Sequence, residues 1–153
     1  MHTWFECKIR YEKTMENGMN KKVTEPYLVD ALSFTEAEAR IIEEMTPFIS
    51  GEFTVSDIKR ANYSELFPSD EEAADRWFKS KLVFITLDER SGVEKKTSTQ
   101  VLVQAADLRD AVKKLDEGMK GTMADYQIAS IAETAIMDVY PFSAEPDDKP
   151  EVQ

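Results

Sequence analysis

Apolar and polar residues alternate from Phe5 to Glu12, with Phe5, Cys7, Ile9 and Tyr11 set against Glu6, Lys8, Arg10 and Glu12. That period of two predicts a half-buried strand over Thr3–Lys13. Glu16-Asn17-Gly18 is a turn signal, because Asn and Gly tolerate positive φ. A second strand carries Val23, Tyr27 and Val29, and Pro26 within it predicts a sheet edge. The spacing then changes to helical: Phe34, Ala37, Ile41, Ile42, Met45 and Phe48 share one face. Ser33 or Thr35 is the expected cap, and Thr35 with Glu38 fits a capping box. A third strand holds Phe53 and Val55, with Ile58 out of phase. Either a β-bulge near Ser56-Asp57 or a strand crossing between two contact surfaces explains the break.

The same pattern returns. Trp4-Phe5 recurs as Trp77-Phe78, 73 positions on. Leu28, Val29 and Ala31 meet Leu102, Val103 and Ala105 at offset 74. Phe53, Val55, Ile58, Leu66, Phe67 and Pro68 meet Tyr126, Ile128, Ile131, Val139, Tyr140 and Pro141 at offset 73. The second helix is expected to be capped by Asp107, to bury Leu108, Ala111, Val112, Leu115 and Met119, and to end near Gly118. Tyr126, Ile128 and Ile131 break phase at the matching place, and a bulge near Ala129-Ser130 or a crossing strand explains it equally. The chain therefore reads as an α+β protein with internal duplication of a ββαβ unit, its two helices packed on antiparallel or mixed sheets. The boundaries are 1–68 for the first repeat, 69–75 for an acidic linker, 76–141 for the second repeat and 142–153 for an acidic flexible tail, with one fused domain overall.

Charge changes this picture only in part. The 153 residues carry a net charge of −11, of which −4 falls in residues 69–75 and −3 in 142–153. The second repeat is neutral, so an anionic ligand there is compatible with the overall acidity. Duplex DNA and anionic membranes, which need clustered cations, are disfavoured. No signal peptide or membrane span is read, and the expected compartment is the cytoplasm, with the single Cys7 reduced.

Catalytic chemistry is sparsely represented. His2 is the only histidine and sits at the terminus. Cys7 lies on the apolar face and reads as core. No phosphate-loop, dinucleotide, zinc-protease or calcium-loop motif occurs. No catalytic residue, metal ligand or cofactor is expected. The paired acids Glu36 with Glu43 or Glu44, and Asp107 with Asp110, read as caps or solvated faces. Glu65 and Asp138 precede the repeated Leu66-Phe67-Pro68 and Val139-Tyr140-Pro141, which suggests a shared turn geometry.

The distinctive surface is the other face of each unit's first strand. It shows Trp4, Glu6, Lys8 and Arg10 in one unit, and Trp77, Lys79, Lys81, Val83, Ile85 and Leu87 in the other. One reading makes Trp4, Lys8, Arg10, Trp77, Lys79 and Lys81 a platform for a nucleotide-like or other small anionic ligand, in a cleft between repeats or subunits. The other buries the two tryptophans and the apolar run Leu82–Ile85 between units or between copies of a homo-oligomer, as an interaction module. An acid-dependent hydrolase or nuclease is the third class. Lys21-Lys22, Lys95-Lys96 and Lys59-Arg60 read as solvated ends.

The segments Trp4–Lys13, Val23–Ala31, Ser33–Glu38, Gly51–Val55 and Lys120–Tyr126 resemble a small bacterial and phage family catalogued only as a domain of unknown function. The resemblance covers nearly the whole chain apart from the acidic tail. It supplies no catalytic residues. It implies a mobile-element or phage setting, in which sequestering a host signal is one use for a ligand cleft.

Overall fold

The computed structural model describes residues 3–141. The segment predicted as an acidic tail, 142–153, and His2 lie outside the described residues. The elements run β1 (Trp4–Thr14), β2 (Asn20–Asp30), α1 (Phe34–Met45), β3 (Phe53–Ala61), β4 (Tyr63–Phe67), β5 (Arg76–Leu87), β6 (Glu94–Ala105), α2 (Leu108–Gly118), β7 (Asp125–Glu133) and β8 (Val139–Tyr140). The architecture is α+β, with two helices and two four-stranded mixed sheets. The sheet orders are β3-β1-β2-β8 and β4-β6-β5-β7.

The chain divides into two compact units, and these are not the two stretches of sequence that the repeats delimit. Unit 1 takes Met1–Ala61 together with Ile136–Gln153, and unit 2 is Asn62–Ala135. Each sheet gains its outer parallel strand from the stretch that the sequence pattern assigns to the other ββαβ unit. Val139 and Tyr140 pair with Leu28 and Val29, while Leu66 and Phe67 pair with Leu102 and Val103. The two pairings correspond residue for residue at the offsets found in the sequence. Short connections explain the exchange. A residue spans at most ~3.6 Å, and only Asn62 separates β3 from β4. Within a few residues of leaving β3, the chain has no room to cross β1 and β2 and run back parallel to β2.

In unit 1, α1 covers one sheet face through Ala37, Ile41 and Met45, which pack with Phe5, Cys7, Ile9 and Val29. In unit 2, Leu115 and Met119 of α2 pack on Leu82, Val101 and Val103, and Ala111 packs with Phe78 and Ala105. Both phase breaks are bulges, the first of the two open readings. Lys8 faces Asp57 but Ile9 faces Val55, which leaves Ser56 unpaired, and Lys81 faces Ser130 but Leu82 faces Ile128, which leaves Ala129 unpaired. The extra residue returns Ile58 and Ile131 to the helix-covered face.

Leu108 and Val112 of α2, expected to be buried, are exposed, because only Ala111 and Leu115 of that helix are fully covered. Three further local expectations change. The first helix is capped by Ser33, not Thr35: its backbone is extended, its hydroxyl accepts from the Glu36 N–H, and Glu36 accepts from the Leu32 N–H. Asp107 does the same for α2 by accepting from the Asp110 N–H at 2.8 Å, while Asp110 accepts from the Ala106 N–H at 2.9 Å. Secondly, β2 is an edge strand only up to Tyr27, because β8 covers its last turn of pleat. Thirdly, residues 69–75 are anchored within unit 2. Ser69 N–H donates to Gln104 Oε1, and Lys114 Nζ reaches both Ser69 Oγ and Glu71 Oε1.

Candidate functional site

The expected site residues fall into two sets, one per unit. On β1 the face turned away from α1 carries Trp4, Glu6, Lys8 and Arg10. On β5 the corresponding face carries Trp77, Lys79, Lys81, Val83, Ile85 and Leu87. Directly opposed residues of antiparallel strands share a face, so Leu28 joins the first set opposite Glu6, and Leu102 joins the second opposite Lys79.

The tryptophans are buried. Trp4 is 8% exposed and Trp77 4%, and Leu28 and Leu102 beside them are fully buried. Their indoles are packed and present no open face for a base to stack on. Trp77 is also held through its backbone, where its carbonyl accepts from both the N–H and the hydroxyl of Thr134 at 2.9 Å. Beyond Leu82, the run Val83–Ile85 is half-buried and Leu87 exposed.

The cations stand differently. Lys79, Lys81 and Arg10 are exposed and Lys8 is half-buried. Among the described residues their side chains make no hydrogen bond or ion pair. Other cations are committed: Lys114 lies 2.9 Å from Glu71 and 3.1 Å from Asp110, and Lys13 lies 3.5 Å from Glu25. Lys81 lines a depression of about 300 Å³ with Asn62, Ser98, Thr99 and Gln100. That lining holds one ammonium and no carboxylate; Ser98 and Gln100 share the sheet face of Lys81, and Thr99, opposite Leu82, turns its side chain to the other face. Asn62 and Ser98 could not be selected from sequence, because their positions carry no periodic or motif signal. Arg10 lines a separate groove within unit 1, described below.

The acids and the thiol have structural occupations. Glu36, Asp107 and Asp110 serve the helix caps, and Glu44 pairs with Arg40 at 3.8 Å. Asp138 accepts from the Val139 N–H at 2.8 Å, and its carbonyl accepts from the Leu28 N–H at 3.0 Å, which docks β8. Cys7 is fully buried. Burial, reinforced by the charges of Glu6 and Asp57, pushes its thiol up to about 12, far from a reactive thiolate at neutral pH. Among the described residues, no three His, Cys, Asp or Glu side chains gather where a metal ion could sit.

The polar network of unit 1 lies on the helix-covered face. Tyr11 and Tyr27 both donate to Glu25 Oε1, at 2.9 and 3.3 Å, and Tyr27 stacks on Tyr140 with centroids 6.2 Å apart. Burial first, and Glu25 second, push Tyr11 up to about 12.

These features define an α+β protein with paired sheets, buried tryptophans and unpaired surface cations. The chain belongs to the family described as Domain of unknown function (DUF4494), whose model matches residues 3–142. No curated protein matches it. No helix among the described residues is long and apolar enough to cross a membrane.

Proposed function

We propose that this is a non-catalytic, cytoplasmic binding protein that captures a small anionic or nucleotide-like ligand, with Lys81 and Lys79 of unit 2 holding the anion. The observation that carries this reading is the Lys81 depression. An ammonium without an ion pair stands there among Asn62, Ser98, Thr99 and Gln100, with no carboxylate in the lining. Ser98 and Gln100 share the sheet face of Lys81, while Thr99 opposes Leu82 and turns to the other face; neutral donors beside one cation suit an oxyanion, since an N–H or O–H can point at an oxygen. The buried indoles support a narrower role for Trp4 and Trp77 than stacking: they stiffen the strands that present the cations. The recurrence of caps, bulges and outer strands at fixed offsets supports descent by internal duplication. A bacterial or phage setting, with sequestration of a host signal, fits a small binder of this kind.

Calorimetric titration with inorganic phosphate and with adenosine monophosphate tests the reading. Lys81→Glu and Lys79→Glu are expected to weaken binding at least about tenfold, a loss of ~1.4 kcal/mol, without altering the assembly state. Undiminished binding in both variants, or none in the parent protein, overturns it.

A second reading, an interaction module, rests on exposed Leu87 with half-buried Val83 and Ile85 on the outer face of β5, because Trp4, Trp77, Leu28 and Leu102 are already covered within the single chain. A Lys79→Glu, Lys81→Glu protein whose subunit number changes in native mass spectrometry, with no ligand effect, favours that alternative. Hydrolysis of a phosphoester that stops when a carboxylate is removed would replace both with the third class.

A further inference from the structure

The hairpin of unit 1 carries a second candidate site, and its chemistry differs from that of the Lys81 depression. The β1–β3 ladder ends where Tyr11 faces Phe53, while β1 continues with β2 as far as Thr14 opposite Asn20. Residues 12–14 of β1 therefore have β2 on one side and no β3 partner on the other. The notch so formed is a groove of about 560 Å³, within the ~300–1,000 Å³ common for small-ligand sites.

Two cations and two carboxylates line it: Arg10, Lys22, Glu12 and Glu52. Among the described residues none of the four makes a side-chain hydrogen bond or ion pair. This holds even for Glu12 and Lys22, which are direct cross-strand neighbours. Tyr11 and Phe53 add half-buried aromatic carbon to the lining.

Unit 2 supplies an internal control. Its hairpin is built the same way, yet at the places of Arg10, Glu12 and Thr14, 73 residues on, stand Val83, Ile85 and Leu87. The fold therefore does not require charge at these positions. A mixed, balanced charge set also differs from an anion site, because the carboxylates repel what the cations attract. A ligand bearing both charges satisfies all four groups.

We infer that this groove binds the extended backbone of a short peptide with free termini. Its carboxylate is held by Arg10 and Lys22, its ammonium by Glu12 and Glu52, and its main chain by the open edge of β1. Adding a strand to such an edge uses main-chain hydrogen bonds for affinity.

Amide NMR of the full chain, titrated with trialanine, tests this. Trialanine is expected to shift the amides of residues 10–14 and 51–54. N-acetylation or C-terminal amidation of the peptide should each weaken binding about tenfold. Arg10→Gln and Glu12→Gln should weaken trialanine similarly while leaving the unit 2 amides in place, which shows that the fold is intact. Lys81→Glu should have no effect here, so this site and the anion site fail or succeed separately. No shift at millimolar trialanine, equal binding of the capped peptides, or the same shifts from inorganic phosphate alone would each overturn the assignment.

Discussion

A Cβ added to Gly118 would stand 2.7 Å from Cδ1 of Phe67. Gly118 closes α2, and Phe67 belongs to β4, the parallel strand beside β6. The glycine is there for the ring, since its φ is not in the left-handed region. Gly118→Ala gains helix propensity of up to ~1 kcal/mol but forces the ring to move, and overpacking of this kind costs about 1–3 kcal/mol. We expect net destabilisation in denaturant unfolding. In a Phe67→Ala background the same substitution should stabilise, and an unchanged sign there would refute the packing explanation.

Unit 1 depends on the far end of the chain. Tyr140→Ala removes the stacking partner of Tyr27 and part of the α1-side cluster. For this half-buried ring the expected loss is about 1–3 kcal/mol, below the cost for a fully buried aromatic. Hydrogen exchange should quicken at Leu28 and Val29, which pair with β8, and not at Leu102 and Val103. Equal loss of protection in both sheets would contradict the pairing.

Asp110 has its carboxyl held below the ordinary range, first by the Ala106 N–H and then by Lys114. A depressed folded-state pKa contributes stability above the unfolded value of ~3.9 and loses it as pH falls through the lower, folded value. Acid unfolding of Asp110→Asn should lack that component. An acid limb that matches the parent's would show that the cap hydrogen bond does not discriminate the charged form.

Tyr11 and Tyr140 are both pushed up to about 12, in each case mainly by burial. The neutral phenol is the form the fold favours. Their contribution is complete below the unfolded value of ~10 and is lost as pH rises through the folded values. Burial also raises Tyr27 and Tyr126, so ultraviolet titration should show these four tyrosines ionising late, coincident with alkaline unfolding. Glu25→Gln should bring Tyr11 down only part of the way, because burial is the larger cause.

Cys7 should react with a thiol reagent only as the protein opens. A burst of labelling in native buffer would contradict its complete burial.

Much of this architecture was legible from periodicity. The alternation through Phe5, Cys7, Ile9 and Tyr11 locates β1, and the phase break before Ile58 locates the bulge at Ser56. Periodicity reports which face a residue takes, not which strand lies beside it, so the partners of Leu66-Phe67 and Val139-Tyr140 were invisible. A two-residue strand has no period at all. The choice between Ser33 and Thr35 turned on a single extended backbone, since both offer a hydroxyl three residues before a Glu. At the candidate sites, Lys79, Lys81 and Arg10 were legible as cations on the outer faces. The burial of Trp4 and Trp77 was one of two open readings. The groove at Glu12–Thr14 was not visible, because it arises where β3 stops.

The exchanged strands also set an order of assembly during synthesis. Everything in unit 2 lies between residues 62 and 135, so its sheet can close once β7 has left the ribosome. Unit 1 begins earlier but waits for Val139 and Tyr140, which follow β7 in the chain. Of the two units, the one that begins first is thus the one that finishes last, and until then the Leu28–Val29 edge stands open on the nascent chain.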